Sequence, residues 1–212
     1  MRPPLTLGLY LVTDERLSRG RPTVELVRAA IRGGVDAVQL RGKELSLREQ
    51  VALGRELRAI TREAGVLFIV NDRADLAIAL DADGVHVGQD DLPADLARRV
   101  VGPDRIVGVS AATVEEARIA RAMGADYIGV GAIYGTATKL DAGAAIGTAA
   151  IGPLTSLGLP IVGIGGIGAG NAAEVIVAGA AGVAVVSAIV AADDPEAAAR
   201  ALRQIIAAAL QR

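Results

Sequence analysis

Eight short apolar runs recur along the chain: Leu7–Val12, Ala37–Arg41, Leu67–Val70, Gly84–Val87, Ile106–Ser110, Tyr127–Gly131, Ile161–Gly165 and Val183–Ser187. Their length and β-branched content read as strands rather than buried helices. Between them lie segments of helical spacing or composition: Thr23–Arg32, Ser46–Glu63, Arg73–Leu80, Pro93–Val100, Val114–Met123, Ile146–Leu157, Asn171–Ala178 and Asp193–Gln211. Ser46 and Glu49 have the spacing of a capping box, Thr113 suits a cap, and Pro93 suits a first helical turn. Asp193 or Asp194 before Pro195 marks another helix start. Eight strand–helix units predict an α/β fold, a (β/α)8 TIM barrel with a closed parallel sheet, as a single domain over residues 1–212. Gly135–Ala150, rich in Gly, Ala and Thr, reads as a mobile loop leading into a short helix. In such a barrel the functional residues belong at the C-terminal ends of the strands.

Composition narrows the chemistry. Of 212 residues, 52% are hydrophobic but only 2% aromatic, so the core is built from Ala, Val, Ile and Leu. Net charge is −2 and no long basic run occurs, which argues against a nucleic-acid partner. There is no Cys, hence no disulfide framework, thiolate nucleophile or zinc–thiolate site. Met1-Arg2-Pro3-Pro4 lacks the apolar stretch of a signal peptide. No apolar run reaches the ~18 residues of a membrane span, so a cytoplasmic protein with no membrane partner is expected. A homo-oligomer remains open.

Polar clusters follow the strand-like runs. Thr136-Ala137-Thr138-Lys139 puts two hydroxyls and an ammonium on a glycine-flanked loop, which suits a polyanion. In Gln39-Leu40-Arg41-Gly42-Lys43, period-two spacing turns Gln39 and Arg41 to the barrel interior, with Lys43 just beyond. A charge there needs an anion: either a ligand or a carboxylate such as Asp72. Asn71-Asp72 and Asp91 end neighbouring strands, and two aspartates with a phosphate suit a hard cation such as Mg2+. The bland alternative makes Asp91 a helix cap before Pro93, with Asp90 competing for either role. Ser110 has no nearby His in sequence to activate it, so a hydrogen bond to a substrate or leaving group is its functional role. Gly163–Gly168, with Val186 and Ser187, falls on the loops after strands 7 and 8, the usual phosphate-binding place. It does not have the spacing of a dinucleotide fingerprint. His86, the only histidine, suits a structural hydrogen bond. Tyr10 and Tyr134 are pocket candidates, Tyr134 the better one because its loop carries Thr136.

These segments, with Tyr10–Asp14, Asn71–Ala77, Ala82–Asp91, Gly108–Ser110, Gly124–Tyr127, Ile164–Ile167 and Gly182–Ile189, resemble the thiamine phosphate synthase family over essentially the whole chain. The resemblance implies a barrel enzyme that joins a hydroxymethylpyrimidine diphosphate to a thiazole phosphate, with Mg2+ assisting pyrophosphate loss. It implies that Gln39, Leu40, Arg41, Gly42, Lys43, Asn71, Ser110 and Lys139 contact the pyrimidine diphosphate. Asp72 and Asp91 then hold magnesium, while Thr136, Ala137, Thr138, Gly166, Val186 and Ser187 hold the thiazole phosphate. Arg41, Lys43, Ser110 and Lys139 are the expected catalytic groups. The chain departs from the family at Ala112, where a His is frequent, and at Ala132 and Gly135, where prolines are frequent. A thiazole tautomerase of the same barrel family is the nearest rival, but the resemblance implies that such proteins use a His base and need no pyrophosphate grip. A non-catalytic phosphate-binding barrel is the other.

Overall fold

The computed structural model describes residues 3–136, 138 and 144–211. Eight parallel strands close into a barrel in sequence order: β1 (Leu9–Val12), β2 (Ala37–Leu40), β3 (Leu67–Asn71), β4 (Gly84–Val87), β5 (Ile106–Ser110), β6 (Tyr127–Val130), β7 (Ile161–Ile164) and β8 (Gly182–Val185). β1 pairs with β8, with Tyr10 opposite Ala184, and this completes the ring. The outer helices are α1 (Thr23–Arg32), α2 (Leu47–Ala64), α3 (Ala74–Ala79), α4 (Ala94–Val101), α5 (Val114–Ala122), α6 (Ile151–Thr155), α7 (Ala172–Val177), α8 (Ser187–Val190) and α9 (Pro195–Leu210). The (β/α)8 expectation is met.

Local chemistry explains the helix starts. Ser46 and Glu49 close a capping box at α2, and Thr113 and Glu116 do so at α5. Asp194, rather than Asp193, caps α9, accepting from Ala197 N at 2.9 Å ahead of Pro195. Pro93 sits one residue before α4 instead of in its first turn. The helix expected over Ile146–Leu157 is much shorter. It consists of a 3-10 turn at Thr148–Ala150 and the five residues of α6. Gly147 (φ +71°) and Gly158 (φ +69°) break the ends, and Pro153 lacks a donor. Ser187 opens α8 rather than ending β8.

Side chains alternate between two cores. Leu9, Leu11, Val38, Leu40, Phe68 and Val70 face outward and pack under the helices. Tyr10, Val12, Ala37, Ile69, Ile106, Tyr127 and Ala184 fill the barrel interior. Tyr127 and His86 fit inside so narrow a barrel because glycines stand beside them. A Cβ on Gly108 would lie 2.2 Å from Tyr127 Cζ, and one on Gly129 would lie 3.0 Å from His86 Cε1. Among the described residues, no helix is long and apolar enough to cross a membrane.

At the N-terminal face, one device recurs before three even-numbered strands. Asp36, Asp83 and Asp126 each accept from a backbone N–H of the preceding odd strand: Leu9, Phe68 and Val107, all at 2.8 Å. Each also meets an arginine, Arg203, Arg58 and Arg98 respectively. Before β8 the equivalent residue is Ala181.

Candidate active site

A cavity of about 420 Å3 opens at the C-terminal ends of the strands. It is floored by the interior tyrosines and walled by the βα loops. Most of the residues expected from the sequence meet there: Gln39, Arg41, Lys43, Asn71, Asp72, Asp91, Ser110, Thr136, Thr138, Gly166, Val186 and Ser187 all line it. Leu40 does not. It is the outward residue of β2, fully buried under the helices, because alternation turns it away when Gln39 points in. Gly42 also lies off the cavity wall, its carbonyl accepting from Gln50 Nε2 at 3.0 Å. Ala137 and Lys139 fall outside the described residues, as does much of the loop expected over Gly135–Ala150.

The charged groups are paired in a specific way. Arg41 does not meet Asp72 but Asp14, with Nη1 2.8 Å from Oδ2. Asp14 is 2% exposed and Arg41 15%, so this is a nearly buried pair. Arg16 adds a second guanidinium at 3.3 Å from Asp14 and donates to the Thr138 carbonyl at 3.0 Å. This ties the loop after β1 to the loop after β6. Thr13 Oγ1 accepts from Arg41 N at 3.0 Å, which orients the start of that loop. Lys43 Nζ lies 2.9 Å from Asp72 Oδ2.

Asp72 has φ +62°, a left-handed conformation that Asp tolerates better than most residues. Its carboxyl is pushed up, first by burial and then by the neighbouring Asp91 carboxyl, with Lys43 opposing. Asp91 also accepts from Gly88 N at 2.7 Å, so it shapes its own loop as well as facing Asp72. Two carboxylates held against each other beside a lysine make a place for added positive charge.

The far wall is backbone. Gly165 (φ +98°) and Gly166 (φ +64°) bring the loop after β7 against the loop after β6, where Cβ atoms would meet Ala132 Cα at 2.7 Å and Gly135 O at 2.6 Å. Ile133 N and Tyr134 N donate to Ile164 O and Gly165 O at 2.8 and 3.0 Å, which locks the two loops together. Tyr134, expected in the pocket, turns away and donates to Glu174 Oε2 at 2.9 Å. Tyr10, the other pocket candidate, does line the floor, together with Tyr127.

Sequence reasoning gave no role to Asp14, although it follows an apolar run at a strand end, the position the fold reserves for function. It also separated His86 from Ser110. Adjacent strands bring them together, with Nε2 3.0 Å from Oγ. Ala112 lines the cavity, so no imidazole projects from that position.

A closed barrel with cations, a carboxylate pair and glycine-rich loops at its C-terminal mouth defines a phosphate-handling (β/α)8 enzyme. Residues 9–189 match the family model for thiamine monophosphate synthase. A thiamine-phosphate synthase of Moorella thermoacetica is 55% identical over 199 residues, covering 93% of this chain and 95% of that one. Another, from Roseiflexus sp. (strain RS-1), is 54% identical over 203 residues, covering 95% and 86% respectively. The solved structure of a thiamine phosphate pyrophosphorylase from Pyrococcus furiosus superposes with a TM-score of 0.88 at 41% identity, covering 97% of this chain and 98% of that one. A 3-hexulose-6-phosphate synthase at 21% identity and TM-score 0.69 shares the fold alone. The chain belongs to the thiamine monophosphate synthase family. It is an enzyme, a transferase of thiamine biosynthesis.

Proposed function

We propose that this protein condenses 4-amino-5-hydroxymethyl-2-methylpyrimidine diphosphate with 4-methyl-5-(2-phosphoethyl)thiazole, releasing thiamine phosphate and pyrophosphate. The observation that carries the reading is that Arg41, Lys43 and the Asp72–Asp91 pair line one cavity mouth, with Lys43 against Asp72. That arrangement suits a diphosphate leaving group and its counter-charge.

The bond from the pyrimidine methylene carbon to the diphosphate oxygen breaks, and its electron pair leaves with pyrophosphate. The thiazole nitrogen lone pair then forms the new C–N bond. Arg41, fixed by Asp14, and Lys43 neutralise the charge growing on the leaving oxygens. Lys139 supplies a third cation. Gln39, Asn71 and Ser110 orient the pyrimidine, and Ser110 hydrogen-bonds near the breaking bond. Thr136, Thr138, Gly166, Val186 and Ser187 seat the thiazole phosphate with hydroxyl and backbone donors. No protein nucleophile is needed.

Mg2+ fits the carboxylate pair. Asp72 and Asp91 offer hard oxygens in mutual contact, and burial together with Asp91 raises the Asp72 carboxyl against the pull of Lys43. Two carboxylates plus substrate phosphate oxygens and water are a usual magnesium shell. Bound there, the ion would supply Lewis-acid stabilisation of the leaving pyrophosphate. Ala112 at the cavity wall weighs against the tautomerase reading, which calls for a base at that place.

The test is a single mixture of both substrates, protein and Mg2+, assayed for thiamine phosphate. Product that disappears with EDTA supports the reaction and the metal. No product from folded protein overturns the reading.

A further inference from the structure

Tyr10, Tyr127 and His86 have no step in the reaction proposed above, yet they occupy the centre of the cavity floor. They stand in an unbroken line of polar atoms. Gln39 Nε2 donates to Tyr10 Oη at 2.9 Å. Tyr10 Oη lies 3.1 Å from Tyr127 Oη. Tyr127 Oη lies 2.9 Å from His86 Nδ1, and His86 Nε2 lies 3.0 Å from Ser110 Oγ. The line begins in the buried barrel interior and ends on the cavity wall.

Its direction follows from counting protons. The Gln39 amide nitrogen is a donor only, so Tyr10 Oη accepts from it. Among the described residues, the only other partner of the Tyr10 hydroxyl is Tyr127, so the Tyr10 proton goes there. The Tyr127 proton then goes to His86 Nδ1, which must be unprotonated. A neutral imidazole with bare Nδ1 carries its proton on Nε2 and donates to Ser110 Oγ. The Ser110 proton is left for the cavity. The opposite direction would leave the fully buried Tyr10 hydroxyl proton without an acceptor. Burial also raises the pKa of both phenols well above the ordinary value, so neither gives up its proton at neutral pH.

We propose that Gln39, Tyr10, Tyr127 and His86 form a one-way hydrogen-bond line that turns the Ser110 hydroxyl proton into the cavity, with Tyr10 and Tyr127 as positioning residues. Ser110 therefore recognises a hydrogen-bond acceptor, such as a ring nitrogen or the bridging oxygen of a leaving group, and not a donor. The kinetic part of the test rests on the function proposed above; the spectroscopic part does not.

His86 is the only histidine, so the untagged protein shows a single imidazole in long-range 1H–15N correlation spectra. The wild-type spectrum is expected to show the Nε2–H tautomer at neutral pH. In Tyr127→Phe the donor to His86 Nδ1 is gone, and the spectrum should become a mixture of both tautomers. The same substitution should lower kcat/KM about ten-fold, the worth of one hydrogen bond. That loss should vanish when Ser110→Ala is already present. A wild-type Nδ1–H tautomer or imidazolium overturns the line, and this reading needs no variant to fold. A wild-type tautomer persisting in folded Tyr127→Phe overturns the direction. A kcat/KM loss undiminished beside Ser110→Ala overturns action through the serine. An absence of turnover in the wild type would sink the proposed reaction while leaving the spectra decisive.

Discussion

The two ends of the barrel use the same residue types to opposite effect. At the N-terminal face, Asp36, Asp83 and Asp126 each have a backbone donor and an arginine, so each carboxylate is compensated. At the C-terminal face, Asp72 is pushed up first by burial and then by the Asp91 carboxyl, and Lys43 only partly opposes this. One end spends its charge on holding strands in register, and the other keeps charge in reserve for a ligand. Stability and function are thus separated along the barrel axis, which is why loops at one end can change without unfolding the other.

Substitutions at the two ends should separate accordingly. The largest effect expected is from Asp72→Asn: turnover falls about 100-fold, the scale of a lost electrostatic contact at the reacting centre. The unfolding midpoint should hold or rise, because a like-charge contact is relieved. Steady-state rates and a melting curve on the same sample check both halves, and a lowered midpoint would break the comparison. The converse is Asp83→Ala, which strips Phe68 N–H and Arg58 of their carboxylate. A loss of about 2–3 kcal/mol in chemical denaturation is expected, with kcat/KM unchanged. Between the ends, Gly108→Ala drives a Cβ into the Tyr127 ring. Overpacking should cost about 1–3 kcal/mol and also reduce kcat/KM, making it the one substitution felt in both assays. The smallest effect belongs to Ala181→Asp, which supplies the missing fourth carboxylate before β8. A gain of about 0.5 kcal/mol is expected from the new backbone hydrogen bond, measured by denaturation. A clear loss there would show that the repeated device depends on its arginine.

Much of this division was legible in the sequence. Strand count, order and closure followed from eight apolar runs, and most pocket residues from their place just after those runs. Alternation also put Gln39 and Arg41 inside. Most of the misses have a common cause: they depend on partners distant in sequence. Arg41 pairs with Asp14, 27 residues away, rather than with Asp72. His86 reaches Ser110, 24 residues on, because β4 and β5 are adjacent. Tyr134 was placed in the pocket by its neighbour Thr136, yet the tight fit of Gly165 and Gly166 turns that part of the loop outward, toward Glu174. Leu40 was carried along with its motif although its own position in the alternation faces the helices. Local pattern reveals which end of a strand a residue occupies; it does not reveal the cross-barrel partner.

The tyrosine floor has an optical consequence. The chain has no tryptophan and three tyrosines, and two of the three, Tyr10 and Tyr127, line the cavity. Their absorbance and emission therefore report the polarity of the binding chamber itself, with Tyr134 as the outlying third chromophore. A ligand entering the barrel should announce itself in the near-ultraviolet without any dye or label.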